Sequence, residues 1–185
     1  MLTARTLIEA QVYLSLVAAA DPNVPSVPPE EPQPGVNTTE GPDAWVYSTP
    51  AGDISISYAS EKTATTLGLH FGLGRSRLID AAQWAMVARS YAQKALDADM
   101  AYTGAAEQDR SVIELNWEFA AEAIGEAIKF LPDDADEVPD SEIWSAYGAR
   151  AKISHPNLVH RAKLQDDLEY FRGVLADFRA LYRDS

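Results

Sequence analysis

The C-terminal part of the chain carries a regular apolar stripe that limits how the protein can fold. Between residues 156 and 183, large apolar side chains recur at spacings of four, three, four, three and four: Leu164, Leu168, Phe171, Leu175, Phe178 and Tyr182. This repeat is typical of a long helix that packs one face against other helices. The chain must therefore supply partner helices of matching length.

Two such partner helices are predicted in the middle of the chain. The first begins with Ser76 as its N-cap and runs to about Met100. The second runs from about Ala106 to Leu131, and its apolar residues fall on one stripe. We therefore predict a mainly α fold, an antiparallel helical bundle. Its predicted core consists of Trp117, Ile124, Leu131, Leu168, Phe171, Leu175 and Phe178.

The first sixty residues have a different character. A helix is predicted at residues 3–19, followed by a stretch at residues 22–42 that holds seven of the eleven prolines and is either a linker or an extended arm. Apolar residues that alternate with Ser predict one β-hairpin at residues 44–58. We therefore divide the chain into an N-terminal extension, residues 1–60, and a helical bundle domain, residues 61–185.

Composition restricts the classes of function. The formal net charge is -13, which argues against broad nucleic-acid binding because phosphate neutralisation supplies most non-specific affinity. The absence of Cys excludes disulfides and thiolate metal sites, and with only three His we expect no metal and no other cofactor. No apolar stretch has the length of a membrane span, so we predict a cytoplasmic protein without a membrane partner.

One window has the opposite charge. No Asp or Glu occurs from Ile143 to Gln165, although this window contains six Arg, Lys or His residues: Arg150, Lys152, His155, His160, Arg161 and Lys163. A basic window in an acidic chain indicates an anion site, or else an ordinary solvated helix junction.

The order Arg150, His155, Pro156 predicts a helix boundary inside this window. Pro disfavours the helical conformation of the residue before it, so His155 should leave the helix. On a continuous helix Arg150 and His155 would lie on different faces, whereas a break allows them to come within reach. We predict that both are at least partly exposed, and that Pro156 is the first residue of the last helix.

These features resemble the HEPN superfamily, and within it the toxin half of the HEPN/nucleotidyltransferase toxin–antitoxin pairs. The resemblance rests on the run Ile-Gly-Glu-Ala at residues 124–127, Leu-Pro at residues 131–132, an acidic loop, Trp144, and an Arg150…His155 pair. It covers the chain from about residue 78 onward. Two positions depart from the pattern of that branch: Ala151 replaces a polar residue, and Asn157 replaces a Tyr.

The resemblance implies a metal-independent endoribonuclease that acts as a homodimer on RNA, with a nucleotidyltransferase antitoxin as the usual partner. His155 would remove a proton from a ribose 2′-OH, and Arg150 would hold the phosphate oxygens. Lys152 would assist in binding the substrate. Asn157 joins this substrate-binding set because it occupies the position of the family's Tyr.

The N-terminal extension supports an alternative function of another class. A helix, a Pro-rich arm and a hairpin suit binding to neighbouring chains, as in a multi-subunit or virion-like assembly. In this hypothesis the helical body is a non-catalytic scaffold, and Ala151 reflects an activity that has been lost. Two chains that pair so that Arg150 and His155 of both face one cleft would favour the ribonuclease.

Overall fold

A computed structural model describes residues 1–20, 37–49, 52–103 and 110–182 of the protein. In these residues the fold is mainly α-helical, and the chain forms two compact units, Met1–Ile79 and Asp80–Ser185. The predicted Pro-rich segment up to residue 36, part of the predicted hairpin turn, and the predicted start of the second body helix lie outside the described residues.

The N-terminal unit contains a four-stranded sheet in the order β1-β4-β3-β2. The strands are β1 (Leu2–Ala4), β2 (Asn37–Glu40), β3 (Ala44–Thr49) and β4 (Gly52–Ser57). Strands β3 and β4 pair antiparallel, as predicted for the hairpin, but β2 adds to β3 and β1 adds in parallel to β4. The expectation of a single hairpin is therefore replaced by a larger sheet, whose buried face includes Ile54 and Ile56.

Two helices complete this unit, α1 (Leu7–Ala20) and α2 (Tyr58–Thr66). Helix α1 begins later than the predicted Thr3 because Leu2 to Ala4 pair with β4. The hydroxyl of Thr6 accepts a hydrogen bond from the backbone N–H of Glu9 at 3.0 Å, which is the N-cap arrangement. The buried Glu9 carboxylate is itself paired with the guanidinium of Arg5 at 2.7 Å.

In its described residues the C-terminal unit contains four α-helices: α3 (Ala81–Ala101), α4 (Arg110–Ile128), α5 (Ala146–Ser154) and α6 (Arg161–Leu181). A short 3-10 helix, Asp140–Glu142, lies between α4 and α5. Helix α4 packs against both α3 and α6. The predicted core is confirmed at five positions, which are Trp117, Ile124, Phe171, Leu175 and Phe178. Leu131 and Leu168 are only partly buried.

Helix α3 begins with a capping box at Asp80, so the prediction of Ser76 as its N-cap is wrong. Asp80 accepts a hydrogen bond from the N–H of Gln83 at 2.8 Å, and the Gln83 side chain accepts one from the N–H of Asp80 at 3.0 Å. Ser76 is not the N-cap, because its hydroxyl bonds the N–H groups of residues 78 and 79 in the preceding segment.

Asp80 also fixes the start of α5. Its second carboxylate oxygen accepts a hydrogen bond from the N–H of Ser145 at 2.8 Å, and Ser145 in turn caps α5 through the N–H of Gly148. A Cβ atom at Gly148 would lie 2.5 Å from an oxygen of Asp80, so only glycine fits there without displacement. Within the described ranges, no helix is long and apolar enough to cross a membrane.

Candidate functional site

The helix boundary predicted at His155 is confirmed. Helix α5 ends at Ser154, and His155 has a non-helical backbone with φ of −135° and ψ of 79°. Both Arg150 and His155 are exposed, as predicted.

The prediction that Pro156 begins the last helix is wrong, because residues 156–160 form a turn before α6. The carbonyl of His155 accepts a hydrogen bond from the N–H of Leu158 at 2.9 Å. On the other side of the turn, the backbone from Asp136 to Val138 bonds that of Val159 to Arg161. These long-range bonds hold the backbone of residues 159–160 outside the helix.

The turn closes one end of a groove of about 550 Å³, named here the first groove. Its walls come from one face of α3, one face of α6 and the turn. The residues that line it are Arg89, Ala92, Gln93, Leu96, Trp117, Ser154, His155, Pro156, Asn157, Leu158, Lys163, Asp167, Tyr170 and Phe171.

Helices α3 and α6 run in the same direction on either side of α4. The ring of Tyr102, just after α3, lies 6.4 Å from that of Phe178 and 5.3 Å from that of Tyr182, so the C-terminal ends of the two helices meet. The buried side chain of Trp117 on α4 contacts the rings of Tyr170 and Phe171 at centroid distances of 6.5 and 6.0 Å. Trp117 therefore belongs to the floor of the first groove.

This arrangement gives the first groove two different ends. Arg89 and Lys163 lie at the N-terminal ends of their helix faces, on the side of the turn, whereas Leu96 and Tyr170 lie seven residues further along. Seven residues of helix correspond to about 10 Å. One end of the groove is thus cationic, and the other is apolar and aromatic.

Charges at the cationic end are only partly compensated. Lys163 forms an ion pair with Asp167, one turn further along α6. In the part of the chain that the structure describes, the side chains of Arg89 and His155 make no hydrogen bond or ion pair, and both are exposed. A guanidinium without a partner among the described residues lines the same groove as an imidazole, and both groups can bind phosphate.

The other face of the same turn borders a second groove of about 680 Å³, lined by Glu137, Asp140, Ile143, Ala149, Lys152, Ile153, Pro156 and His160. Here the cations are paired. The ammonium of Lys152 lies 2.5 Å from a carboxylate oxygen of Glu137 and 2.7 Å from one of Asp140. Partial burial alone lowers the pKa of Lys152, but its hydrogen bonds to Asp140 and Glu137 outweigh this effect, and the pKa is raised.

The structure thus divides the four predicted site residues. His155 and Asn157 line the first groove together, whereas Lys152 lines the second groove. Arg150 lies on α5 and lines neither groove. The proximity of Arg150 and His155 stays a prediction. Residues 143–165 contain no acid, but in the folded chain the carboxylates of Glu137 and Asp140, from the preceding loop, contact Lys152.

Sequence reasoning missed two functional candidates in the first groove, Arg89 and Tyr170. Arg89 is exposed on α3, and nothing near it in the sequence indicates that it shares a groove with His155. Tyr170 lies outside the apolar stripe of α6 and is exposed. An aromatic residue outside the stripe could have been identified from the sequence as a candidate for ligand binding. Lys163 lay inside the basic window but had been given no role.

No protein-family model, curated protein or solved structure matches this chain. Among the described residues, no group of three or more His, Asp or Glu side chains is arranged to hold a metal ion.

Proposed function

We propose that the protein is a HEPN-like, metal-independent endoribonuclease that cleaves RNA in the first groove, and that α3, α4 and α6 form its antiparallel helical bundle. One observation carries the proposal. In a chain with a formal net charge of -13, an exposed imidazole lines the same groove as an unpaired guanidinium and an ammonium group. These groups suit proton transfer and phosphate binding.

His155 is the proposed general base. A neutral imidazole accepts a proton near neutral pH, and it can take the proton of a ribose 2′-OH. The 2′ oxygen then attacks the adjacent phosphorus and forms a 2′,3′-cyclic phosphate as the bond to the 5′ oxygen of the next nucleotide breaks. The 5′ oxygen takes a proton from water, and the protonated His155 returns its proton to the solvent. Arg89 holds the phosphate oxygens, where its fixed donors stabilise the charge that develops. Lys163 supports it, and Asn157 contributes a hydrogen bond.

Arg150 enters this proposal through a second copy of the chain. Within one chain it lies outside the first groove, and it is exposed on the last turns of α5. In a homodimer of the HEPN type, Arg150 of the second copy approaches the phosphate at this groove. A nucleotidyltransferase antitoxin is the proposed inhibitory partner. The acidity of the chain implies weak background affinity for RNA, so cleavage should be selective and sensitive to salt.

The test is cleavage of single-stranded RNA by the purified full-length chain in the presence of EDTA. We expect cleavage by the wild type and strong losses for Arg89→Ala and for Arg150→Ala. Arg172→Ala is the matched control, because Arg172 is exposed on α6 but lines neither groove. Activity of Arg150→Ala at the wild-type rate would remove Arg150 from the proposal. A purified dimer that leaves RNA intact would overturn the proposal as a whole.

A second candidate function, a non-catalytic assembly protein, is favoured by the surface of the N-terminal unit. Leu67 and Leu73 are 56% and 61% exposed, and strand β2 is exposed throughout. Among the described strands, β2 pairs only with β3, so its other edge offers backbone groups to a neighbouring chain. If this surface mediates assembly, replacing Leu67 and Leu73 by Lys should reduce the sedimentation coefficient of the full chain without changing its circular dichroism.

A further inference from the structure

We propose that Tyr170 forms a base-stacking subsite, so that the first groove binds one unpaired nucleotide, with its phosphate at the Arg89 end and its base on the tyrosine ring. This inference rests on the proposed function in that it uses the same groove. It adds the residue that recognises the base, and it predicts that the recognised nucleotide is unpaired.

The two ends of the first groove carry this inference. The cationic end offers Arg89 and Lys163, and the opposite end offers Tyr170 and Leu96, about 10 Å further along the helices. A nucleotide has the same polarity, with an anion at one end and a flat ring at the other. A free phosphate would use only the cationic end, and an apolar ligand would use only the opposite end.

Tyr170 has the exposure and the support that stacking requires. It is 59% exposed although it belongs to the wall of a groove. Its ring stands nearly perpendicular to that of the buried Trp117, at 86°, and it also contacts the ring of Phe171 at 5.8 Å. These contacts restrain one side of the ring and leave other parts open to solvent. Every base has a π face, so a restrained and open ring can stack on any unpaired base.

The charges at the cationic end indicate that the groove binds one phosphate and not a long tract of nucleic acid. Asp167 neutralises part of the charge of Lys163 and holds its side chain along α6. Arg89 is then the cation that remains without a partner among the described residues of the groove. One uncompensated guanidinium matches one phosphate group, and it agrees with the acidity of the chain.

The experiment measures binding without cleavage. The probe is a fluorescently labelled pentanucleotide with 2′-O-methyl riboses, which lacks the attacking 2′-OH and stays intact. Because stacking on an aromatic residue contributes about 1–3 kcal/mol per base, Tyr170→Ala should weaken binding by about 5- to 150-fold in fluorescence anisotropy. Tyr170→Phe keeps the ring and should keep the affinity. Tyr147→Ala is the control, because Tyr147 lines neither groove.

A probe with the same backbone but no bases separates stacking from a structural effect. The wild type should bind this probe more weakly, and Tyr170→Ala should cause no further loss, as expected when the two changes remove the same interaction. Wild-type affinity of Tyr170→Ala for the full pentanucleotide, or an equal loss with the base-free probe, would overturn the subsite. Tyr170-dependent binding without cleavage of ordinary RNA supports the subsite and removes the ribonuclease. If RNA is cleaved and Tyr170→Ala changes neither its cleavage nor its binding, the ribonuclease is supported and the subsite is removed.

Discussion

The two grooves of the C-terminal unit share Pro156, and each contains one His and one Lys, yet their charges are balanced in opposite ways. In the second groove, Lys152 lies between two carboxylates, and the imidazole of His160 lies 3.5 Å from one of them. A cation that already binds two carboxylates is not available for phosphate. The charged residues of this groove therefore form a structural contact between the loop that precedes α5 and the end of α5.

The first groove lacks this compensation. Its one carboxylate, Asp167, is paired with Lys163, and Arg89 and His155 have no partner among the described residues. Its floor also differs, because Trp117 and the buried Phe171 belong to the core. The comparison teaches that similar residues in one basic stretch of sequence are paired or left without a partner according to which side chains approach them from elsewhere in the chain.

The largest expected difference between the grooves is in catalysis. We expect His155→Ala to lower the rate of RNA cleavage by about 10²- to 10⁴-fold, the usual contribution of a general base. His160→Ala should leave the rate unchanged, because His160 lines the other groove. Initial rates on one RNA substrate, with EDTA present, make the comparison. Equal losses for the two variants would mean that the grooves do not differ in function.

The next difference concerns stability. Phe171→Ala in the floor of the first groove should lower the free energy of unfolding by about 3–5 kcal/mol, because it removes a buried ring. Ile153→Ala in the second groove should change it by less than about 0.5 kcal/mol, because Ile153 is 79% exposed. Urea denaturation measures both. An unchanged midpoint for Phe171→Ala would show that the apolar face of α6 is not packed as described.

A smaller effect is expected at the loop that supplies the carboxylates of the second groove. Arg161 donates hydrogen bonds to the carbonyl oxygens of Pro132, Asp133 and Ala135, at 2.5 to 3.0 Å. Arg161→Ala should lower the free energy of unfolding by about 1–2 kcal/mol, since these bonds come from a charged donor.

This substitution sharpens the comparison because it should affect only one groove. Pentanucleotide affinity at the first groove should stay at the wild-type value in Arg161→Ala, whereas thermal unfolding shifts downward. Arg172→Ala serves again as the control for the loss of a positive charge. A loss of affinity in Arg161→Ala alone would show that the loop supports both grooves.

The smallest effect is expected from the ion pairs of Lys152. Lys152→Met should lower the free energy of unfolding by less than about 1 kcal/mol at neutral pH, because the pairs are near the surface. The pKa of Lys152 is raised in the folded protein, so the contribution is present at neutral pH and is lost as the pH rises through that raised value. Denaturation at neutral and strongly alkaline pH measures this. A difference between wild type and variant that grows with pH would contradict it.

Local patterns in the sequence predicted the long helices, five of seven core residues and the helix break at His155. These features depend on apolar periodicity and on the effect of a Pro on its neighbour, and both act over a few residues. The start of α3 was missed because Ser76 and Asp80 are both good N-caps. Asp80 is distinguished by its bond to Ser145, which is distant in sequence.

Non-local contacts account for the other failures. Strand β1 has three residues, too few for an alternating pattern, and it forms only because β4 offers an edge. Contacts between segments that are distant in sequence also pair Lys152 with Glu137. They likewise bring Arg89 into the groove that His155 lines. The distribution of charged residues along the sequence contains no information about such contacts between distant segments.

Gly148 has a consequence that reaches beyond its own helix. It lines neither groove, yet the carboxylate packed against it joins the start of α3, which bears Arg89, to the start of α5, which leads to His155. The relative placement of guanidinium and imidazole therefore depends in part on Asp80, and an added methyl group at residue 148 would displace its carboxylate. The alignment of the two groups thus depends on a buried position that lines neither groove.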